Sequence, residues 1–262
     1  MTDSAAQNAG GATNGRNGGR EEAIIDAFVH LSDTLVADYD VIEFLHFLTE
    51  RCVALGDVDE AAVMLASPSG RLQAVASSSE RTRLLELFEL QNQDGPCFDA
   101  YQRGEVVVSA DLTQERTRWP TFTPEALDVG FRAVLSIPLK LRQEIIGALN
   151  LLRLETGEVS HADALLLQAL TDIATVGVLQ ERLISQSLST ASGLQAALTS
   201  RIRIEQAKGV LAERLDVSVD EAFAMLRAFS RNNGLRLTEV ATAVVERSLD
   251  ISDRPPPPQP RN

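Results

Sequence analysis

The stretch "FRAVLSIPLKLRQEIIGALNLLRL" sets the tightest limit on what this chain can fold into. Its two long apolar runs flank the polar triplet Arg142, Gln143 and Glu144, and each run reads as a strand. "EAAVMLASPSGRLQAVASS" reads as a further strand pair, joined at Pro68, Ser69 and Gly70, and "VVVSADL" adds a short strand. Around them the hydrophobic period is helical. Ile24, Ile25, Phe28, Leu31 and Leu35, then Val41, Leu45, Leu48 and Cys52, recur near 3.6 residues. "ERTRLLELFELQ" returns to helix, and "SHADALLLQALTDIATVGVLQERLISQ" is a long helix opened by Ser160 with Asp163 three residues on. Helices first, a central antiparallel sheet, and helices returning on one face make an α+β domain.

The last third is helical three times over. Ile204, Ala207, Leu211 and Leu215 share one face of the first helix. "SVDE" opens the second with a capping box of Ser218 and Glu221, turning Ala222, Met225, Leu226 and Phe229 inward. "RNNG" breaks it, and Thr238 caps or begins the third, whose inner face is Val240, Ala241, Val244 and Leu249. Three short helices bury little alone, so such a module leans on its first helix being continuous with something larger. One residue in it asks for a reason. Gly209 sits mid-helix, where glycine costs about 1 kcal/mol against alanine, beside Lys208, one of two lysines in the chain.

Composition then divides the chain. Residues 1–20 are rich in Gly, Asn and Ala and read as a disordered tail. Residues 21–185 form the α+β domain, 186–197 a small polar connector containing "SLSTASG", 198–250 the helical module, and 251–262 a disordered polyproline-like tail. The net charge of −13 is uneven: residues 1–197 carry 28 acidic and 14 basic residues, whereas 198–250 carry 8 of each. The module is thereby free to present a phosphate-binding face. The start has no signal-peptide pattern and no unbroken apolar run reaches about 18 residues, so no membrane span is expected and a cytoplasmic protein is. His30, His46 and His161 are dispersed, with no metal-ligand spacing and no support for haem or bilin. Cys52 and Cys97 lack zinc spacing. Cys97 follows Gly95-Pro96 at a helix start, where the dipole would lower a thiol pKa; the competing reading is a small buried residue in a pocket wall.

Two resemblances follow. The order of elements, with "DGPCFDAYQRGEVVVSADL" and residues 131–153, resembles a GAF domain over roughly residues 22–185. That resemblance implies a pocket for a small molecule or a redox cue, with Cys97 as a ligand-side residue, and names no ligand or cofactor. "SRIRIEQAKGVLAERLDVSVDEAFAMLRAFSRNNGLRLTEVATAVV" resembles an ANTAR domain, the RNA-binding module of transcription antiterminators. Ser230 and Gly234 are its mild departures. The resemblance implies binding of paired RNA stem-loops by Arg203, Gln206, Lys208, Gly209, Arg227, Asn233, Arg236 and Thr238. Lysine and arginine suit phosphate, amides suit unstacked base edges, and Gly209 lets another backbone approach. Lys208 is expected to be exposed. The stripe Leu166, Leu170, Ile173 and Ile184, continuing towards Leu194 and Leu198, fits equally a helix packed on its own sheet and a homodimer seam or masking face. The whole reads as a non-enzymatic, signal-responsive RNA-binding regulator. Its rivals are a sensor whose last helices bind only protein, and a thiol-dependent reductase that would need Cys52 beside Cys97.

Overall fold

The computed structural model describes residues 11–34, 40–67, 69–188 and 193–251 of the 262. Helices α1 (Gly11–Thr34) and α2 (Val41–Leu55) lead into strands β1 (Glu60–Ala66) and β2 (Leu72–Ser77). Helices α3 (Glu80–Asn92) and α4 (Pro96–Arg103), strand β3 (Val107–Ser109) and helix α5 (Phe122–Asp128) follow. Strands β4 (Ala133–Leu141) and β5 (Glu144–Arg153) complete a five-stranded sheet of order β2-β1-β5-β4-β3, antiparallel throughout. Helix α6 (His161–Leu188) closes the domain.

The central strands are apolar without alternation because both sheet faces are covered. On one face Leu45, Leu48 and Cys52 of α2 and Leu167, Leu170 and Ala174 of α6 pack on Val63, Leu65, Ile137 and Leu149. On the other, Leu85, Cys97, Trp119, Phe122 and Phe131 lie with Met64, Val134, Ala148 and Leu152. Helices thus flank both faces, not the single face expected. The sheet itself separates Cys52 from Cys97, so the two thiols do not form a cooperating pair.

Two further expectations change and one open reading is decided. Helix α1 reaches back to Gly11, into the segment expected as a tail, and Arg20 ties it down by pairing with Asp163 and donating to the Leu55 carbonyl at 2.9 Å. Of the two readings of the α6 stripe, own-sheet packing is the one seen for Leu166, Leu170 and Ile173, while among the described residues Leu165, Val176 and Leu183 are the large apolar ones that α6 exposes. The side chains of Ile184, Leu194 and Leu198 lie outside the described residues. By length and composition, the segment His161–Leu183 could cross a membrane, a pattern that a search for unbroken apolar runs misses; here its apolar face completes the core.

Helices α7 (Gly193–Leu215), α8 (Val219–Asn233) and α9 (Leu237–Val245) form the C-terminal module. Ser218 and Glu221 make the expected capping box, and Gly234 ends α8 in the left-handed conformation. Arg236, rather than Thr238, is the N-cap of α9. The module's core of Ile204, Ala207, Leu211, Leu226, Val240 and Val244 takes in Ile42 of α2 and the partly buried Val75 of β2. So small a module is supported by packing on the α+β domain; the expected continuity of its first helix with a larger element falls on residues 189–192, outside the described residues. Ile251 is buried in this core; residues 189–192 of the connector and 252–262 of the tail lie outside the described residues.

At Gly147 of β5 an added Cβ would overlap the Met64 carbonyl oxygen of β1 and come within 3.0 Å of the Leu65 Cα. Backbone cannot yield there as a flexible side chain would. Gly147→Ala should destabilise the domain by about 2–4 kcal/mol, read as a lower urea midpoint.

Candidate nucleic-acid interface

Helix periodicity decides where the key lysine points. Lys208 lies four residues after Ile204 and three before Leu211, on the edge of the stripe that faces inward. It is accordingly buried, with 5% of its surface exposed, and not exposed as expected. Its ammonium donates to Glu205 at 3.2 Å, stands 3.6 Å from Glu80 at the start of α3, and lies 5.2 Å from the Phe223 ring centroid. Arg227, one turn after Phe223 on α8, is 4% exposed and pairs with Glu50 of α2. Two of the four cations expected to meet RNA, Lys208 and Arg227, therefore rest against carboxylates of the α+β domain.

Further polar links cross the same seam. Arg83 of α3 lies 3.8 Å from Glu205 of α7. The Thr238 N–H donates to Asp40 at 3.4 Å, while Asp40 also caps α2. The His46 ring lies 4.5 Å from that of Phe223. Burial shifts the charges consistently. Desolvation, with Arg227 and Lys208 nearby, lowers the His46 pKa to about 3, so the imidazole is neutral. Desolvation and the neighbouring Arg231 lower that of Arg227 to about 10. Burial raises the Glu80 carboxyl, but Arg83 and Lys208 outweigh it and hold it below its ordinary value.

The remaining sequence-assigned residues divide. Gln206, Gly209, Asn233 and Arg236 are exposed, and Arg203 and Thr238 are half-buried. Asn233 donates to the Phe229 carbonyl at 2.8 Å. Ala207 is core, so of the two small residues beside Lys208 only Gly209 is open, with nothing within 4 Å of an added Cβ. Sequence reasoning missed Glu50, Glu80 and Asp40 as counterparts of the module. The one legible signal was the acidic excess of the first 197 residues, which carries no pairing information.

The opposite face of the sheet holds a buried polar cluster around Cys97. Asn150 of β5 donates to Glu86 at 2.7 Å and to Glu89 at 3.1 Å, and accepts from Ser136. Glu89 in turn accepts the Phe98 N–H at 2.9 Å, at the start of α4. Burial raises the Cys97 thiol well above its ordinary value, and Glu86 and Glu89 add to that; burial pushes Cys52 up to about 12. The helix-start activation considered for Cys97 does not operate. The buried-wall reading is the one the geometry supports.

Family models match this chain twice: "GAF domain" over residues 38–178 and "ANTAR domain" over residues 192–245. No curated protein matches the chain. Among solved structures, it is similar to the GAF domain of an Acinetobacter phosphoenolpyruvate-protein phosphotransferase at 14% identity, with 61% of this chain and 95% of that chain covered and a TM-score of 0.48. A GAF domain of the same kind of enzyme from Coxiella burnetii gives 13%, 63%, 97% and 0.49 for the same measures. A free methionine-R-sulfoxide reductase from Neisseria meningitidis, in complex with its substrate, gives 16%, 62%, 91% and 0.47.

Desolvation raises the Glu86 pKa from 4.5 to about 7, against the opposing hydrogen bond from Asn150. A raised folded-state pKa means the folded form holds its proton more tightly. That contribution is complete below about pH 4.5 and is lost as pH rises to about 7. Glu86→Gln keeps the acceptor for Asn150 and removes the titration. Its stability should exceed that of the wild type by on the order of 3 kcal/mol at pH 8 and converge with it near pH 4, measured by urea unfolding.

Proposed function

The chain belongs to the GAF domain family and carries an ANTAR domain behind it, and from that premise we propose a signal-responsive, RNA-binding regulator of transcription termination. Its ANTAR helices bind paired stem-loops of nascent transcripts in the cytoplasm, and its GAF domain responds to a small ligand or a redox cue. The observation that carries this reading is the pairing of Lys208 and Arg227 with Glu80 and Glu50. Carboxylates here occupy the positions that RNA phosphates would take. The arrangement is then the closed form, and the RNA-competent form is the one in which the ANTAR domain leaves the GAF domain. Gln206, Gly209, Asn233 and Arg236 are already accessible in it.

Binding two successive stem-loops favours two ANTAR domains held together, since linkage raises the effective concentration of the second. A homodimer is therefore part of the proposal. With Leu166, Leu170 and Ile173 packed inward, the exposed Leu165, Val176 and Leu183 of α6 become the residues available to a second copy.

A second reading has its own support. Cations this buried also suit a module whose helices bind only protein, here the GAF domain. The reductase reading has none, because the sheet stands between the two thiols.

A gel-shift titration with a paired-hairpin RNA separates the two. Glu50→Gln/Glu80→Gln should bind RNA about tenfold more tightly than the wild type, a gain of about 1.4 kcal/mol. In that background Lys208→Ala should lose most of the gain, and binding should weaken as salt rises. Absence of RNA binding by both the wild type and the double variant would leave the protein-only reading. Gly209 gives an independent check. With open space around it, Gly209→Ala should raise stability by about 0.5–1 kcal/mol in thermal unfolding while weakening RNA binding, because the new methyl group holds the RNA backbone away.

A further inference from the structure

We propose that the cleft between the GAF and ANTAR domains beside Arg227 is a binding site for a small organic anion, one oxyanion group on a flat apolar body. The cleft is a cavity of about 370 Å³ walled by both domains. That volume lies in the range of small-molecule sites, about 300–1,000 Å³. Its ANTAR wall presents the guanidinium groups of Arg227, Arg231 and Arg236. Its GAF wall presents the rings of Phe44 and Phe47, with His30 stacked 4.2 Å from Phe47. A smaller cavity of about 180 Å³, with Lys208 and Ser79 in its walls, shares Arg227 and Arg231.

The state of Arg227 points to a ligand independently of the cavity. One Nη donates to Glu50, but the buried Nε has no hydrogen-bond partner. A buried N–H without an acceptor is costly, and arginine forks take carboxylate or phosphate oxygens in pairs. Arg231 adds a like charge beside it and makes no ion pair among the described residues. An oxyanion beside these two guanidinium groups would relieve their repulsion and, on a turn of the enclosed Arg227 side chain, offer its Nε the acceptor that it lacks.

Two carboxylates also line the cleft. Asp40 is engaged by the N–H groups of Ile42, Glu43 and Thr238. Burial raises the pKa of Glu43. Arg227 is paired with Glu50, so Arg231, without an ion pair among the described residues, is the charge that an incoming anion meets. The aromatic floor selects a flat apolar body over bare phosphate.

Because both domains supply the walls, such a ligand binds the closed arrangement and not the open one. It would hold the ANTAR domain against the GAF domain and weaken RNA binding by the factor 1 + [L]/Kd. This last consequence rests on the RNA-binding reading; the site itself does not. It is also a different place from the buried cluster around Cys97, which lies across the sheet.

The test is calorimetric titration of the full chain with phenyl phosphate, benzoate and inorganic phosphate, with chloride at equal ionic strength as the control. Phenyl phosphate should bind saturably and at least tenfold more tightly than inorganic phosphate. Arg231→Ala should weaken it at least tenfold without changing the circular dichroism, and Phe47→Leu should remove the preference for the aromatic probe. No saturable binding of any probe, or binding indifferent to Arg231→Ala, overturns the site. Saturable binding with unchanged RNA affinity overturns the coupling. If RNA is bound under no condition while phenyl phosphate binds as described, the RNA reading fails and the site stands.

Discussion

Charge pairing across the seam between the two domains is the constraint on which the rest of the arrangement depends. Lys208 and Arg227 are withdrawn from water, and an isolated buried cation costs several kcal/mol. Each has a carboxylate of the α+β domain beside it, Glu80 in one case and Glu50 in the other, and Lys208 also has Glu205 of its own helix. The dependence runs both ways. Arg83 of α3 lies 3.8 Å from Glu205 of the module, and Asp40 takes the Thr238 N–H of α9. Apolar contact supplies the remainder, with Ile42 and Val75 reaching into a module core too small to stand comfortably alone.

A seam built this way differs from an ordinary core in one respect. Ion pairs between partly exposed groups are individually weak and screened by salt, whereas a buried apolar layer is not. Glu50 and Glu80 both keep part of their surface in water. The contact is thereby suited to competition by another polyanion or by a ligand in the cleft, since each could offer Arg227 more acceptors than Glu50 does. The sheet, by contrast, is fixed by close backbone approach at Gly147 and by apolar packing on both faces, and forms a rigid frame for the seam.

Much of the fold was legible in local pattern. The apolar runs on either side of Arg142–Glu144 gave the β4–β5 hairpin, and Ser218 with Glu221 gave the start of α8. Such signals are read within one element, where the period of the side chains is set by backbone geometry. The candidate site was legible only as a set of residues. Lys208 was read as exposed because a lysine usually is, although its spacing from Ile204 and Leu211 placed it on the inward stripe. The Cys97 thiol was weighed by its place at a helix start, but burial raises its pKa most, and Glu86 and Glu89 of the preceding helix add to that.

The sequence by itself determined the two domains, their order and the chemistry each side chain could offer, because periodicity, caps and motif spacing are local properties. Tertiary structure alone decided what those side chains meet. Glu50 and Arg227 are 177 positions apart, and Asp40 and Thr238 are 198 apart. No periodicity links residues at such separations. Only the docking of one domain on the other brings them within hydrogen-bond reach, and with them the closed seam and its cleft.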